Sequence, residues 1–291
     1  MSWRTVVISK SAKLDYQSGY MIVRGETTTK IHLSEIGIVI IETTAVSLTA
    51  ALLAELTKKK VKVIFCDEKR NPSSELIPYY GSHDSSAKVR SQIVWDSNIK
   101  ALVWTEIVAE KIRKQKELLA CTGHCAEANL LESYIQNIEI GDATNREGHA
   151  AKVYFNALFG MNFTRTAENS KNAALNYGYS LLVSSFNREI SSNGYLTQLG
   201  LFHDNMFNPY NLASDLMEPF RPLVDAKVIK MNPEKFEHDE KMEILQILQS
   251  EIRIGGRSEY LPNAIKIYCK SVFDALTESD VSLIKFYKYE L

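Results

Sequence analysis

Three segments of this chain carry polar side chains at positions where chemistry could be done. The first is Asp142-Ala-Thr-Asn-Arg-Glu147-Gly-His-Ala-Ala-Lys-Val-Tyr-Phe155. A helix capped by Asp142 sets Glu147 on the same side as Ala150, Ala151 and Tyr154, and the alanines leave room for a group to approach the carboxylate. The second is Gln198-Leu-Gly-Leu-Phe-His203-Asp204-Asn205, where an imidazole stands between apolar residues and a polar loop. A neutral imidazole in such a place can coordinate a metal. The third runs Asn211-Leu-Ala-Ser-Asp215-Leu-Met-Glu218-Pro-Phe-Arg221-Pro222-Leu-Val-Asp225. Asp215, Glu218 and Arg221 recur at intervals of three as one polar stripe, with Leu212, Leu216, Phe220 and Leu223 facing a core. Pro219 removes an intrahelical hydrogen bond, so this helix is predicted to bend or break near Glu218. Taken singly, the segments also read as a surface glutamate, an idle loop histidine and an ion-pair stripe worth little.

The elements that must position these residues fall into two groups. Thr5 to Ser9, Lys13 to Gln17, Tyr20 to Arg24, Lys30 to Leu33 and Ile36 to Ile41 are short, rich in β-branched and aromatic residues, and separated by turn signals. Ser47 is predicted to cap a helix through Leu48, Leu52, Leu53 and Leu56, ending in Lys58-Lys59-Lys60, and Val61 to Phe65 reads as a buried strand. Asn71-Pro-Ser-Ser, Pro78 and Gly81 give residues 67–84 the composition of a linker. From Ser85 the period changes. Val89, Ile93, Ile99, Val103 and Ile107 begin an apolar stripe at helical spacing, and further helices are predicted near 126–138, 142–159, 170–191, 211–225, 240–252 and 258–275. The fold class is therefore α+β: a small N-terminal β-rich, β-sandwich-like domain (1–66), the linker, and a larger all-helical catalytic domain (85–291).

Composition narrows the function. No P-loop, dinucleotide fingerprint, HExxH or GxSxG motif is present. Net charge is −1, so any nucleic-acid binding must use local basic clusters. Residues 85–119 carry seven basic side chains (Lys88, Arg90, Lys100, Lys111, Arg113, Lys114, Lys116) against four acidic ones, and residues 120–225 six against eleven. A cation site beside a phosphate track would give that pattern, as would solvated helix faces. Cys121 and Cys125 bracket His124, but a closed zinc site needs four ligands, and helix ends beside a turn at Gly123 explain them better. No apolar run reaches membrane-spanning length, and the N-terminus lacks export-signal character; a cytoplasmic location is expected.

The segments, in order, resemble the CRISPR-associated spacer-acquisition endonuclease and integrase family, the universal adaptation enzyme of those systems. The matching stretches are Glu147 through Tyr154-Phe155, Asn172-Ala-Ala-Leu-Asn176-Tyr177-Gly178-Tyr179, Gly200-Leu-Phe-His203, and Leu212-Ala-Ser-Asp215-Leu-Met-Glu218-Pro-Phe-Arg221-Pro222. Each motif is weak alone; four in order, with strands first and helices after, cover essentially the whole chain. The opening Ser2-Trp3-Arg4 is similar to the branch accompanying type II-A systems.

The resemblance implies a catalytic metal set of Glu147, His203 and Glu218, with Asp215, one turn earlier, as the runner-up for the third ligand. Such ligands suit Mg²⁺ or Mn²⁺, the nitrogen tilting the preference toward manganese. It implies insertion of foreign DNA as new spacers, a DNA 3′-hydroxyl attacking repeat phosphodiesters by in-line displacement, with water as the nucleophile for nuclease activity. Arg146, Lys152 and Arg221 would steady the phosphate, and Asn172, Asn176 and Tyr177 either line the site or serve interhelical hydrogen bonds. The implied partners are double-stranded DNA, a second copy joined through the β-rich domain, and a small companion dimer clamped by two such dimers in a 4:2 complex. A type II-A member would also meet the effector nuclease and a ring-shaped accessory protein. Two alternatives remain open: a stand-alone metal-dependent nuclease of branched DNA, and a non-catalytic DNA-binding scaffold.

Overall fold

The computed structural model describes residues 4–78 and 82–288; Ser2 and Trp3 of the type II-A-like opening, and Gly81 of the linker segment, lie outside them. The N-terminal part comprises strands β1 (Arg4–Ile8), β2 (Ala12–Gln17), β3 (Tyr20–Arg24), β4 (Thr28–His32), β5 (Ile36–Ile41) and β6 (Val46–Leu48), helix α1 (Ala50–Lys58), and strands β7 (Lys62–Cys66) and β8 (Pro72–Glu75). One sheet has the order β4-β3-β2-β6 and the other β1-β5-β7-β8. β5 pairs parallel with both neighbours, and its six residues are all buried. Side chains alternate across a strand, so Val39 and Ile41 enter the N-terminal core while Ile38 and Ile40 enter the helical one. That two-sided burial explains the unbroken apolar run Ile36–Ile41.

Two local expectations change here. Ser47 and Leu48 pair with Lys13 and Leu14 as strand, and the helix begins at Ala50, where the Thr49 hydroxyl accepts the Leu52 N–H at 3.3 Å. The linker-like stretch also contains β8, antiparallel to β7; Pro72 is tolerated as the first residue of an edge strand.

The second part comprises α2 (Ser85–Ile93), α3 (Ser97–Cys121), α4 (Cys125–Gln136), α5 (Arg146–Phe159), α6 (Ser170–Ser192), α7 (Asn211–Leu216), α8 (Arg221–Met231), α9 (His238–Leu245), strands β9 (Glu251–Ile254) and β10 (Arg257–Tyr260), and α10 (Leu261–Glu278). α3 runs through the middle, against α4, α5, α8 and the turn at Glu218–Phe220. The domain is not all-helical: β9 and β10 form a hairpin in the stretch predicted as helix ends. Gly255 and Gly256, at φ +58° and +80°, supply the two left-handed positions that such a turn requires. Cys121 closes α3 and Cys125 opens α4 around Gly123, and both thiols are exposed and free.

Candidate active site

Glu147 stands in the first turn of α5. The carboxylate of Asp142 accepts the N–H groups of Arg146 and Glu147 at 2.7 and 3.0 Å, while Asn145, left-handed at φ 52°, accepts that of Gly148 at 3.2 Å. The cap is therefore shared between Asp142 and Asn145. A Cβ on Gly148 would lie 2.7 Å from Asn145 Oδ1, so only glycine lets the cap close. This double cap turns the glutamate toward α3.

Glu218 is delivered by the helix break that Pro219 causes. α7 ends at Leu216, Glu218–Phe220 forms a single 3₁₀ turn, and α8 starts at Arg221. The Glu218 side chain is buried; Arg221 Nε donates to its Oε1 at 2.8 Å. Lys111, from the middle of α3, puts its buried ammonium against both carboxylates, touching Glu147 Oε1 and lying 2.5 Å from Glu218 Oε2. Burial alone would push the Glu218 carboxyl up, but the charges of Arg221 and Lys111 outweigh it and hold the group below its usual range. Burial likewise works against the Lys111 charge, and Glu218 and Glu147 more than restore it.

His203 is held from below by Asp215, which is fully buried in α7. The Asp215 carboxylate accepts the N–H groups of Leu201, Phe202 and His203 at 2.6, 3.1 and 3.2 Å, and His203 Nδ1 lies 2.5 Å from its Oδ1. The hydrogen bond from Asp215 raises the His203 pKa against the opposing effect of burial, with the charges of Asp215, Glu218 and Glu147 adding to it. With Nδ1 engaged, Nε2 is the ring nitrogen left to act on a ligand. Trp104 of α3 stacks on Phe202 at 4.6 Å and meets the His203 ring edge-on at 5.7 Å. Gly200 is required where it stands, since a Cβ there would fall 2.2 Å from the His203 carbonyl and 2.8 Å from Asp215 Oδ2.

Two carboxylates and an imidazole nitrogen form a donor set that fits Mg²⁺ or Mn²⁺. Glu218 Oε2 adds a specific sign of fit: it is buried and faces a positive charge, the Lys111 ammonium 2.5 Å away. No three His, Cys, Asp or Glu side chains among the described residues stand close enough to enclose an ion as they are. The Lys111 ammonium lies between the two carboxylates instead.

The sequence profile described as "CRISPR associated protein Cas1" matches residues 5–246. The chain belongs to the Cas1 family. It is 37% identical over 233 residues to the CRISPR-associated endonuclease Cas1 of Neisseria meningitidis serogroup C (strain 8013), covering 79% of this chain and 76% of that protein. Its fold matches a casposase bound to integration product with TM-score 0.75 at 17% identity, over 97% of this chain and 93% of the casposase. It matches a Cas6-RT-Cas1–Cas2 complex with TM-score 0.74 at 16% identity, where it spans 97% of its own length and only 36% of that longer chain.

Other residues of this Cas1 chain that sequence pointed to have their contacts with groups other than the two carboxylates. Asn172 donates to the carbonyls of Thr164 and Ala167, both at 2.8 Å, and Arg165 donates to Asn172 and Asn176, so the asparagines brace the segment before α6. Tyr177 packs on Phe236, ring centroids 5.6 Å apart. The Arg146 guanidinium sits over the Tyr134 ring at 5.6 Å, and Lys152 is exposed further along α5. The basic segment is largely spent on internal pairs: Arg113 with Glu110, Lys114 with Glu110 and Glu117, Lys116 with Glu132. Lys100 instead lines an open cleft of about 390 Å³ with Gln92, Phe202, His203 and Asp204.

Sequence reasoning did not single out Lys111 or Trp104 for the site. The signal was there: Lys111 follows Trp104 by two helical turns and continues the stripe of Val103 and Ile107, so an ammonium stands where the pattern asks for an apolar side chain.

Proposed function

We propose that this Cas1-family chain is a divalent-metal-dependent DNA endonuclease and integrase that inserts foreign DNA fragments into a CRISPR array, the fragment's 3′-hydroxyl attacking a repeat phosphodiester. The observation that carries this reading is the convergence of Glu147 and Glu218 on one cationic position beside a histidine oriented by Asp215. The kinship with an endonuclease, and the fold shared with a casposase bound to integration product, support the reaction class.

Glu147, Glu218 and His203 Nε2 would hold Mg²⁺ or Mn²⁺, and a bound ion would supply Lewis-acid stabilisation at the scissile phosphate. Asp215 serves as the residue that fixes the imidazole tautomer and orientation, not as a ligand, because its oxygens already serve three amides and the ring. Arg221 holds Glu218 in place and offsets its charge. Trp104 and Phe202 wall the imidazole, restricting its rotation and excluding water from one side. Lys100 meets the incoming phosphate in the cleft beside His203. Two copies would associate through the β-rich part and grip a small companion dimer, an assembly supported by the fold shared with a Cas1–Cas2 complex.

A donor with free 3′-hydroxyls and a repeat-containing or branched target, with the companion protein and Mn²⁺, tests the proposal. Covalent donor–target products that vanish in Glu147→Ala and His203→Ala are expected. Cleavage without joining points to a stand-alone nuclease of branched DNA. Activity unchanged in both variants overturns the site assignment, and DNA binding with neither joining nor cleavage by the wild type leaves a DNA-binding scaffold.

A further inference from the structure

The four groups at the centre of the site cancel one another. Glu147 and Glu218 supply two negative charges; Lys111 and Arg221 supply two positive ones. Lys111 is the one placed between the carboxylates, with a side chain only 7% exposed. A divalent ion entering between these two carboxylates would bring two further positive charges into a largely buried cluster whose carboxylates are already paired, and would meet the ammonium at the closest approach of both.

We propose that Lys111 is a resident counter-cation: it holds Glu147 and Glu218 together in the free protein and competes with the divalent ion for them. Metal binding displaces the ammonium, and a DNA phosphate beside the site gives the displaced group its new partner. Metal is therefore bound weakly by the free protein and more tightly when DNA is present, so the nuclease site is completed only on its substrate. This inference rests on the metal-site reading above and concerns a positioning residue, not a ligand.

Mn²⁺ affinity, read from the electron paramagnetic resonance signal of the free ion, tests it in the full chain. Lys111→Met should bind Mn²⁺ at least about tenfold more tightly than the wild type. Lys111→Arg, which keeps the charge, should stay weak. A short DNA duplex should tighten Mn²⁺ binding by the wild type more than by Lys111→Met. Equal or weaker affinity in Lys111→Met overturns the proposal. Glu147→Gln placed on top of Lys111→Met should lose the gained affinity; retention of the full gain would show that the ion sits elsewhere and that the metal-site reading has failed. The wild type offers a check that needs no variant. Its Lys111 ammonium, protected from exchange by burial, should lose that protection by NMR on titration with Mg²⁺, and protection unchanged at saturating Mg²⁺ overturns the displacement.

Discussion

Asp215 binds His203 twice, at the ring through Nδ1 at 2.5 Å and at the backbone N–H at 3.2 Å. The same carboxylate takes the N–H groups of Leu201 and Phe202, so the loop that presents the imidazole is wound around one buried charge. The orientation of the ring and the folding of the loop are thus one structural event.

Replacing Asp215 separates these roles. Asp215→Asn keeps a hydrogen-bonding side chain but cannot satisfy three amides and the ring together; DNA joining should fall about 10- to 100-fold with the fold retained. Asp215→Ala strands buried N–H groups and should also cost about 3 kcal/mol in urea denaturation. Wild-type joining by Asp215→Asn would refute the orienting role.

Gly200 tests the same cradle from its backbone side. The methyl group of Gly200→Ala would meet the His203 carbonyl and Asp215 Oδ2, and neither can retreat without breaking the loop. A stability loss of roughly 1–3 kcal/mol is expected, with joining reduced at temperatures where the variant is fully folded. Unchanged melting and joining would show that the loop yields freely.

Buried Asp225 gives a pH signature. It accepts the Tyr154 hydroxyl at 2.8 Å and the Tyr179 hydroxyl at 2.5 Å, yet burial pushes its carboxyl up to about 6. The folded chain therefore binds this proton more tightly than the unfolded one. The group's contribution to stability is fully present below about pH 4 and is lost as pH rises through about 6, a difference of up to roughly 3 kcal/mol. Asp225→Asn should flatten that part of the pH profile of unfolding free energy. An identical slope in the variant and the wild type would rule this out.

The surface cations should divide by location. Lys100→Ala should weaken DNA binding and lower the salt slope by about one, because Lys100 lines the cleft beside His203 where the proposal places a phosphate. Lys116→Ala, whose ammonium is paired with Glu132 at 2.7 Å, should leave the slope unchanged. Equal effects from both lysines would mean that the whole basic segment tracks DNA.

Much of the scaffold was legible before any coordinates. The alternating β-branched segments gave β1 to β5 within a residue or two, and Pro219 marked the break that places Glu218 in its own short turn. Local rules failed where tertiary pairing overrode them: Pro72–Glu75 becomes strand because β7 offers an open edge, and Gly255-Gly256 folds a hairpin between two helices. In the site, Glu147, His203 and Glu218 stood out as residue types in order. Lys111 did not, because a lysine on a helix usually means solvent, and only the packing of α3 against α5 and the 218–220 turn buries it. The competing carboxylates Asp215 and Glu218 could not be told apart by spacing; their different partners emerge only from the loop geometry.

The central claim is that Glu147, His203 and Glu218 share one ion. Crystals soaked in Mn²⁺ and measured at its absorption edge test this most directly. One anomalous peak bounded by the Glu147 and Glu218 carboxylates and His203 Nε2, with Asp215 still on Nδ1, is the expected result. No peak at that position, or one coordinated by Asp215 in place of Glu218, would contradict it.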